Sequence, residues 1–261
     1  MPNKKRVLVT GLSGAVGQAI NGFIKDRYEI SSLSRNGVKN IPKQNNHKGD
    51  IGSLDSIIPS FDGVDTVVHL AADGGVRSIN GMNADWNSIL QSNIIGTYNV
   101  FEASVRAGVK RIIFASSGST IMGYETMYPY SELLSGKIDP KKNSIPFVTH
   151  ESEPQPRSFY SVSKLFGEDL ARMYSAVHNI SIICIRIGGC SLDGKPSAGR
   201  GKSIFVSHRD IAQLIIKSIE APKSLIFDIF FGVSNNELRY RDLIHSKEVL
   251  GYIPQDSAEK F

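Results

Sequence analysis

Short apolar strands alternate with helical segments along this chain, and this alternation restricts the fold more than any other feature. The pattern predicts strands at residues 6–10, 28–33, 47–49, 65–70, 111–115, 181–187 and 227–231. Helices are predicted to end near residue 26, to cover 85–107, 159–177 and 209–220, and to end near residue 250. Such alternation is typical of a parallel sheet with helices on both faces. We therefore predict an α/β fold with a doubly wound parallel sheet.

The first predicted strand runs directly into a glycine-rich turn that contains Gly11, Gly14 and Gly17. Glycines at this spacing let the backbone turn tightly and bring the N–H groups of the following helix against a pyrophosphate. A strand, a glycine turn and a helix in this order near the start of the chain predict dinucleotide binding. The sheet is accordingly predicted to be of the Rossmann type.

Tyr160 and Lys164 lie four residues apart in a predicted helix and therefore project from the same face of it. A tyrosine phenol has a pKa near ~10 and is a poor base at neutral pH unless a neighbouring positive charge stabilises its phenolate. Lys164 could supply that charge. If this helix lines a cofactor cleft, the pair has the arrangement of a catalytic base and its activator.

Composition limits the partners and the compartment. The chain has 261 residues, with 30 basic and 25 acidic side chains and a net charge of +5. The basic residues are mostly scattered, so we predict no nucleic-acid partner. The two cysteines favour a reducing compartment over a disulfide framework. No apolar run reaches ~18 residues and no signal-peptide core is visible, so we expect a cytoplasmic protein without a membrane partner. The six histidines are dispersed, and no metal site is predicted.

Several motifs together resemble the extended short-chain dehydrogenase/reductase family, in which many members act on sugars. They are Gly11/Gly14/Gly17, Asp50-Ile51, His69 to Ala72, Asn93, Ser116-Ser117 and Tyr160/Lys164. Within that family the chain resembles the uronate dehydrogenases and the archaeal NAD-dependent glucose-6-phosphate dehydrogenases. The resemblance implies an NAD(P)-dependent enzyme that oxidises the C1 hydroxyl of an aldose, a sugar phosphate or a uronate to a lactone.

The resemblance also implies roles for individual residues. Tyr160 would be the catalytic base, Lys164 would lower its pKa and hold the nicotinamide ribose, and Ser117 would hydrogen-bond the reacting oxygen. Ser116 is the weaker candidate for that last role, and capping of the next segment is the alternative explanation for either serine. The cofactor-binding residues are predicted to be Gly11, Gly14, Ala15, Val16, Gly17, Ser34, Arg35, Asp50, Ile51, Leu70, Ala71, Ala72, Asn93, Tyr160 and Lys164.

The end of the second strand bears on the choice between NAD and NADP. Enzymes that use NAD place an acidic residue there, on the ribose hydroxyls of the adenosine. This chain has Ser34-Arg35-Asn36 instead. Arginine can bind a phosphate through two charge-assisted hydrogen bonds, so we predict NADP as the preferred cofactor and NAD as the alternative, with Lys39 as a helper.

Substrate recognition is assigned to Gly74, Gly118, Ser119, Gly189 and Arg200. Arg200 stands where the uronate dehydrogenases keep an arginine for the substrate carboxylate, and it could equally bind a phosphate. The alternative explanation is a solvated loop residue between Gly199 and Gly201. Gly118-Ser119 replaces the Asn-His of those enzymes, and Gly189 replaces a serine.

We predict two regions, a dinucleotide-binding core over residues 1–187 and a small substrate-binding lobe over 188–261 that packs on it. The connection 123–158 is unusually long, and part of it is expected to close over the substrate. Three alternatives remain open: a sugar epimerase, a reductase, or a non-catalytic NADP(H)-sensing protein. Because helices like 85–107 and 159–177 commonly pair across dimers in this family, a homodimer is one option.

Overall fold

A single parallel sheet organises the chain. The computed structural model describes residues 4–74 and 85–261. In that part of the chain seven strands pair in parallel, in the spatial order β3-β2-β1-β4-β5-β6-β7. The strands are β1 (Arg6–Thr10), β2 (Glu29–Ser34), β3 (Asn46–Lys48), β4 (Thr66–His69), β5 (Arg111–Ser117), β6 (Ser181–Ile187) and β7 (Phe227–Gly232). The order reverses next to β1, as in a doubly wound sheet, so the predicted Rossmann-type fold is confirmed.

The helices cover both faces of the sheet. They are α1 (Ala15–Ile24), α2 (Leu54–Ile57), α3 (Trp86–Ile89), α4 (Gly96–Arg106), α5 (Tyr130–Leu134), α6 (Phe159–His178), α7 (Arg200–Ile204), α8 (His208–Ile219) and α9 (Ile244–Leu250). The predicted helix 85–107 is present, but a π-helical turn at Leu90–Ile95 separates α3 from α4. Helices α2, α5 and α7 were not predicted, because four or five residues are too few to show a helical period.

The core follows from the alternation of side chains along the buried strands. In β1, Val7 and Val9 face one hydrophobic cluster, which also contains Ile20 of α1 and Ile215 of α8. Leu8 faces the opposite cluster. Because successive side chains of a strand point to opposite faces, each strand supplies both layers. The sheet therefore has a hydrophobic layer on each side.

Helix α6 carries the predicted catalytic pair, and its ends are well defined. The hydroxyl of Ser158 accepts a hydrogen bond from the backbone N–H of Ser161, while the Ser161 hydroxyl bonds back to the N–H of Ser158. This reciprocal arrangement satisfies N–H groups that the first turn of a helix leaves without partners. At the other end Asn179 adopts the left-handed conformation that commonly terminates helices.

A buried ion pair joins α6 to the sheet. Arg186 of β6 donates from Nε and Nη2 to the two carboxylate oxygens of Glu168, over 2.9 and 2.8 Å, and both side chains are buried. Ser116 of β5 donates to the same carboxylate over 2.5 Å. The helix is thus attached to two neighbouring strands at the edge where they end.

Residues on both sides of position 187 share the sheet and its layers. Strand β7 pairs with β6, and α8 packs against α1. The long connection 123–158 is also packed: Tyr130, Leu133 and Val148 are buried with Tyr240 in a third cluster. The division into a core and a lobe stays a prediction, and so does closure of the connection over a substrate.

Two further observations concern the bulk properties. Cys184 and Cys190 are both free thiols. None of the helices formed by residues 4–74 and 85–261 is long and apolar enough to cross a membrane.

The ion pair that joins α6 to β6 yields a stability prediction. Arg186→Met leaves the buried Glu168 carboxylate without its charged partner, so we expect a loss of about 3 to 5 kcal/mol in the free energy of unfolding. The matched control is Arg106→Met, because Arg106 pairs with Glu102 on the surface and its side chain is 53% exposed. That change should cost no more than about 1 kcal/mol. Urea denaturation monitored by circular dichroism measures the free energy of unfolding of both variants. Equal losses of this free energy would contradict the role assigned to the buried pair.

Candidate active site

A groove of about 550 Å³ runs along the carboxyl ends of the strands around β1, where open parallel sheets bind their ligands. Nine of the predicted cofactor-binding residues line it: Gly11, Gly14, Ser34, Arg35, Asp50, Ile51, Leu70, Ala71 and Ala72. These residues lie at or just after the ends of four strands, β1, β2, β3 and β4. The other predicted cofactor-binding residues do not line this groove; they are Ala15, Val16, Gly17, Asn93, Tyr160 and Lys164.

The glycine turn forms the floor of this groove. Gly11 has a φ of +74°, and a Cβ atom there would lie 2.6 Å from the backbone nitrogen of Ala71. A Cβ atom on Gly17 would lie 2.4 Å from the carbonyl oxygen of Leu12, so the first turn of α1 packs directly on the preceding loop. Gly14 is the N-cap of α1 and has no side chain to cover its N–H groups. The start of α1, with Ala15 and Val16, can therefore meet a pyrophosphate at close range.

The end of β2 offers polar groups to the other end of the groove. The Ser34 hydroxyl is buried and finds no hydrogen-bond partner among the described residues. Arg35, which follows it, is exposed at the rim. A buried hydroxyl without a partner among the described residues, beside an exposed cation, suits a ligand that carries oxygen atoms, such as an adenosine ribose or its phosphate.

Tyr160 and Lys164 lie close together on α6, beside the end of β5. The Lys164 ammonium lies 5.6 Å from the centre of the Tyr160 ring and donates to the carbonyl oxygen of Ala115 over 2.9 Å. Burial lowers the pKa of Lys164 to about 8. Burial also raises the pKa of the Tyr160 phenol, and the neighbouring Ser117 hydroxyl offsets part of that rise. The activation of Tyr160 by Lys164 stays a prediction.

The two serines at the end of β5 have different surroundings. The Ser116 hydroxyl is occupied by the Glu168 carboxylate and is buried. Ser117 accepts from the backbone N–H of Ser119 over 3.1 Å and interacts with Tyr160. It therefore combines the capping role with the position beside the phenol that the catalytic role requires. Ser117 is the better placed of the two.

His69 lies near Lys164, and the sequence assigned it no role of its own. Its Nδ1 lies 2.7 Å from the Thr10 hydroxyl and its Nε2 lies 3.4 Å from that of Thr97. Burial and, second, the positive charge of Lys164 lower the pKa of His69 to about 3. The ring is therefore neutral at physiological pH and adds no charge that would compete with Lys164.

Asn93 was predicted to bind the cofactor, and its side chain makes structural bonds. Its carbonyl oxygen accepts from the backbone N–H of Asp73, and its amide donates to the carbonyl of Asp73 and to the hydroxyl of Ser163. These bonds tie the loop after β4 to α6. Asn93 thus positions two walls of the site relative to each other.

The predicted substrate-binding residues also follow strand ends. Gly118 and Ser119 begin the 3₁₀ segment after β5, and the Ser119 hydroxyl is buried without a partner in the described part of the chain. Gly189 follows β6 and donates its N–H to Ile204. Gly74 follows β4 and is exposed.

Arg200 is the first residue of α7, and its guanidinium forms an ion pair with Glu125. The side chain is 40% exposed. The sequence predicted a cation at this position but could not show that the Glu125 carboxylate already pairs with it.

Some groove residues were missed by the sequence analysis. They are Ser13, Asn36, Gly37, Gly49, Leu33 and, from α3 and the π-helical turn, Asn87, Ser88, Gln91 and Ser92. The sequence predicted one continuous helix over 85–107. The π turn at Leu90–Ile95 interrupts that helix, and residues of α3 and of this turn line the groove. The position of α3 just after the loop that follows β4 could have suggested the groove residues of this helix.

The histidines gave no metal-binding pattern in sequence, yet two of them meet in the fold. His150 and His245 stack with ring centres 3.7 Å apart and an angle of 10° between the planes, and His245 contacts Asp228 over 2.9 Å. Possible ligand atoms of His150, Asp228 and His245 lie within 4.8 Å of one another. The nitrogen lone pairs of each histidine lie in the plane of its own ring, however, and two nearly parallel planes 3.7 Å apart do not share a common point for an ion. We assign no metal site to this cluster.

Comparison with known proteins places this site in a wider group. Residues 7–250 match the model of the NAD-dependent epimerase/dehydratase family. The NAD-dependent glucose-6-phosphate dehydrogenase of Haloferax volcanii is 32% identical and is aligned over 98% of this chain and 95% of its own length. The L-arabinose 1-dehydrogenase (NAD(P)(+)) of the same organism is 29% identical over 97% of each chain. A structure of a uronate dehydrogenase variant from Agrobacterium tumefaciens with NAD superposes with a TM-score of 0.80, at 31% identity, over 98% and 87% of the two chains.

Proposed function

Because this chain belongs to the NAD-dependent epimerase/dehydratase family, we propose that it is an NAD(P)-dependent sugar dehydrogenase that oxidises a C1 hydroxyl to a lactone. Membership confirms the resemblance found in the sequence, and the chain is an oxidoreductase of the extended short-chain type. Its relatives include dehydrogenases for a sugar phosphate, a free aldose and a uronate. The substrate of this chain is proposed to be a small sugar of one of those classes.

The observation that carries the proposal is the meeting of Ser117, Tyr160 and Lys164 at the carboxyl edge of the sheet. A phenol, a hydroxyl and a buried ammonium lie side by side where β5 and α6 come together. A binding protein needs the glycine turn but has no use for a phenol placed in this way. The site therefore favours removal of a proton from a hydroxyl group whose carbon loses hydride.

The groove residues fit a nicotinamide dinucleotide. The glycine turn and the start of α1 would hold the pyrophosphate, Ser34 and Arg35 would hold the adenosine ribose, and Asp50 and Ile51 would flank the adenine. Lys164 would hold the nicotinamide ribose. When bound, the nicotinamide supplies the acceptor for the hydride that leaves C1.

The chain's own residues handle the proton. Ser117 would donate a hydrogen bond to the C1 oxygen and orient it toward Tyr160. Tyr160, as phenolate, would take the hydroxyl proton as the C–H electron pair leaves as hydride, so that the C–O bond becomes a carbonyl. Lys164, whose ammonium lies 5.6 Å from the centre of the Tyr160 ring, would stabilise the phenolate through its positive charge. His69, which lies near Lys164, is neutral and therefore adds no second positive charge beside it.

A substrate panel with one tyrosine variant tests this function. We expect wild-type protein to reduce NAD or NADP with at least one of glucose, arabinose, glucose 6-phosphate or glucuronate. Tyr160→Phe should lower kcat by about 100-fold or more, because a general base contributes on that scale. Tyr98→Phe, on the exposed side of α4, is the control and should keep full activity. Cofactor fluorescence should show that both variants still bind the dinucleotide, and that Tyr98→Phe binds it as tightly as wild type. Full activity of Tyr160→Phe, or no turnover of any sugar by wild type, would contradict the proposal.

We further propose that the enzyme prefers NADP. Support comes from the position of Arg35 at the rim of the groove and from the buried, unpartnered Ser34 hydroxyl, with no acidic residue at the end of β2. An acidic side chain there would repel a 2′-phosphate, whereas a guanidinium attracts it. The relative that acts on arabinose is named for both cofactors.

The cofactor preference is tested by Arg35→Ala. We expect the KM for NADP to rise by about tenfold or more, since the variant loses a charge-assisted contact, while the KM for NAD changes by less than about threefold. Arg27→Ala, an exposed arginine before β2, is the matched control and should leave both values unchanged. An unchanged preference for NADP in Arg35→Ala would show that a group other than Arg35 binds the 2′-phosphate.

A further inference from the structure

Arg241 is a fully buried cation that lacks hydrogen-bond partners for most of its donors. Its side chain has 0% exposure. Within the described residues, Nε and Nη1 have no partner at all. Burying donors of a charged group without partners is costly, so proteins rarely do so unless a ligand or ordered water completes the set.

The guanidinium lies directly beside the strand end that carries Ser117. A Cβ atom built on Gly118 would be 3.3 Å from Nε and 3.6 Å from Nη2 of Arg241. Gly118 is the next residue after Ser117, and the hydroxyl of Ser119 is also buried without a partner. Three unpartnered polar atoms, two on the Arg241 guanidinium and one on Ser119, thus lie in or beside the segment that follows Ser117.

The charge around Arg241 is unbalanced. Glu125 pairs with Arg200, lies 3.3 Å from Nη2 of Arg241, and accepts from the Tyr240 hydroxyl over 2.7 Å. Burial opposes the charge of Glu125, but Arg200 and Arg241 outweigh it and hold the pKa of this carboxyl below its usual range. One carboxylate therefore serves two guanidinium groups, and the cluster keeps an excess of one positive charge.

Arg241 is also held in place. Its guanidinium carbon lies 4.4 Å from the centre of the Tyr240 ring, and its backbone forms a bridge with Val148 of the long connection. A fixed, planar group with free donors is prepared to bind a carboxylate or phosphate without further ordering.

We propose that Arg241, together with the Ser119 hydroxyl, binds an oxyanion of the substrate, a carboxylate or a phosphate at the end of the sugar away from C1. This inference rests on the proposed function, since it places the anion on a sugar whose C1 lies at Ser117 and Tyr160. It makes anionic sugars the preferred substrate class over neutral aldoses. Arg200 then has an indirect role, because it pairs with Glu125, the carboxylate that also pairs with Arg241.

A binding experiment tests the site without turnover. Calorimetry would measure the affinity of glucuronate, glucose 6-phosphate and glucose at equal ionic strength, both without cofactor and with NADPH, which cannot accept hydride. We expect one or both anionic sugars to bind wild type more tightly than glucose. Arg241→Gln should weaken binding of the anionic sugar by about tenfold or more and leave glucose within about threefold, as expected for loss of charge-assisted hydrogen bonds.

Arg239→Gln is the matched control, because Arg239 lies on the same segment and has a partner in Asn235. It should bind all three sugars like wild type. Gly118→Ala is a second variant that keeps the charge, and its methyl group would press on Nε of Arg241. It should weaken the anionic sugar in the same direction, so the test survives if Arg241→Gln fails to fold.

The outcomes separate this inference from the proposed function. If Arg241→Gln binds the anionic sugar as tightly as wild type, or if glucose loses affinity equally, the inference is wrong even when turnover is observed. If the anion binds through Arg241 but wild type oxidises no sugar, the inference stands as a binding site and the proposed function fails.

Discussion

The buried ion pair between Glu168 and Arg186 is the interaction on which the site depends most. It fixes α6 across β5 and β6 near the point where both strands end. Tyr160, Lys164 and Glu168 are spaced four apart, so fixing Glu168 at the sheet sets the height and rotation of the other two. Ser116 contributes its hydroxyl to the same carboxylate, which leaves the neighbouring Ser117 to face the phenol. One electrostatic contact thus determines which serine is available for chemistry.

Near the Tyr160 phenol, burial shifts the pKa values of the ionisable side chains more than ion pairs do. Lys164 is buried against the carbonyl of Ala115 and the ring of Phe114, and its pKa falls to about 8. His69 stays neutral behind it. Among the described residues, the Lys164 ammonium is the positive charge beside Tyr160, 5.6 Å from the centre of its ring. The substrate side is different, because Arg200, Arg241 and Glu125 leave an excess positive charge there.

Much of this could be predicted from sequence, because the relevant signals are local. The strands, the glycine turn and the Tyr160/Lys164 spacing each follow from a period or a motif within a few residues. The contact between Arg241 and Gly118 could not be predicted, since it joins two segments that are distant in the chain and only the sheet brings together. The stack of His150 on His245 is of the same kind. The π turn at Leu90–Ile95 could not be predicted either, because the sequence of this segment reads as one continuous helix over 85–107.

The central claim is that hydride leaves C1 of a sugar and stays on the cofactor. It is tested most directly by incubating the enzyme with a sugar that carries deuterium at C1, with NAD or NADP in excess, and analysing both products by mass spectrometry. The account predicts that deuterium appears in the reduced cofactor and that the sugar becomes a lactone without it. Deuterium that remains in a sugar of altered configuration, with no net cofactor reduction, would contradict the account and identify an epimerase.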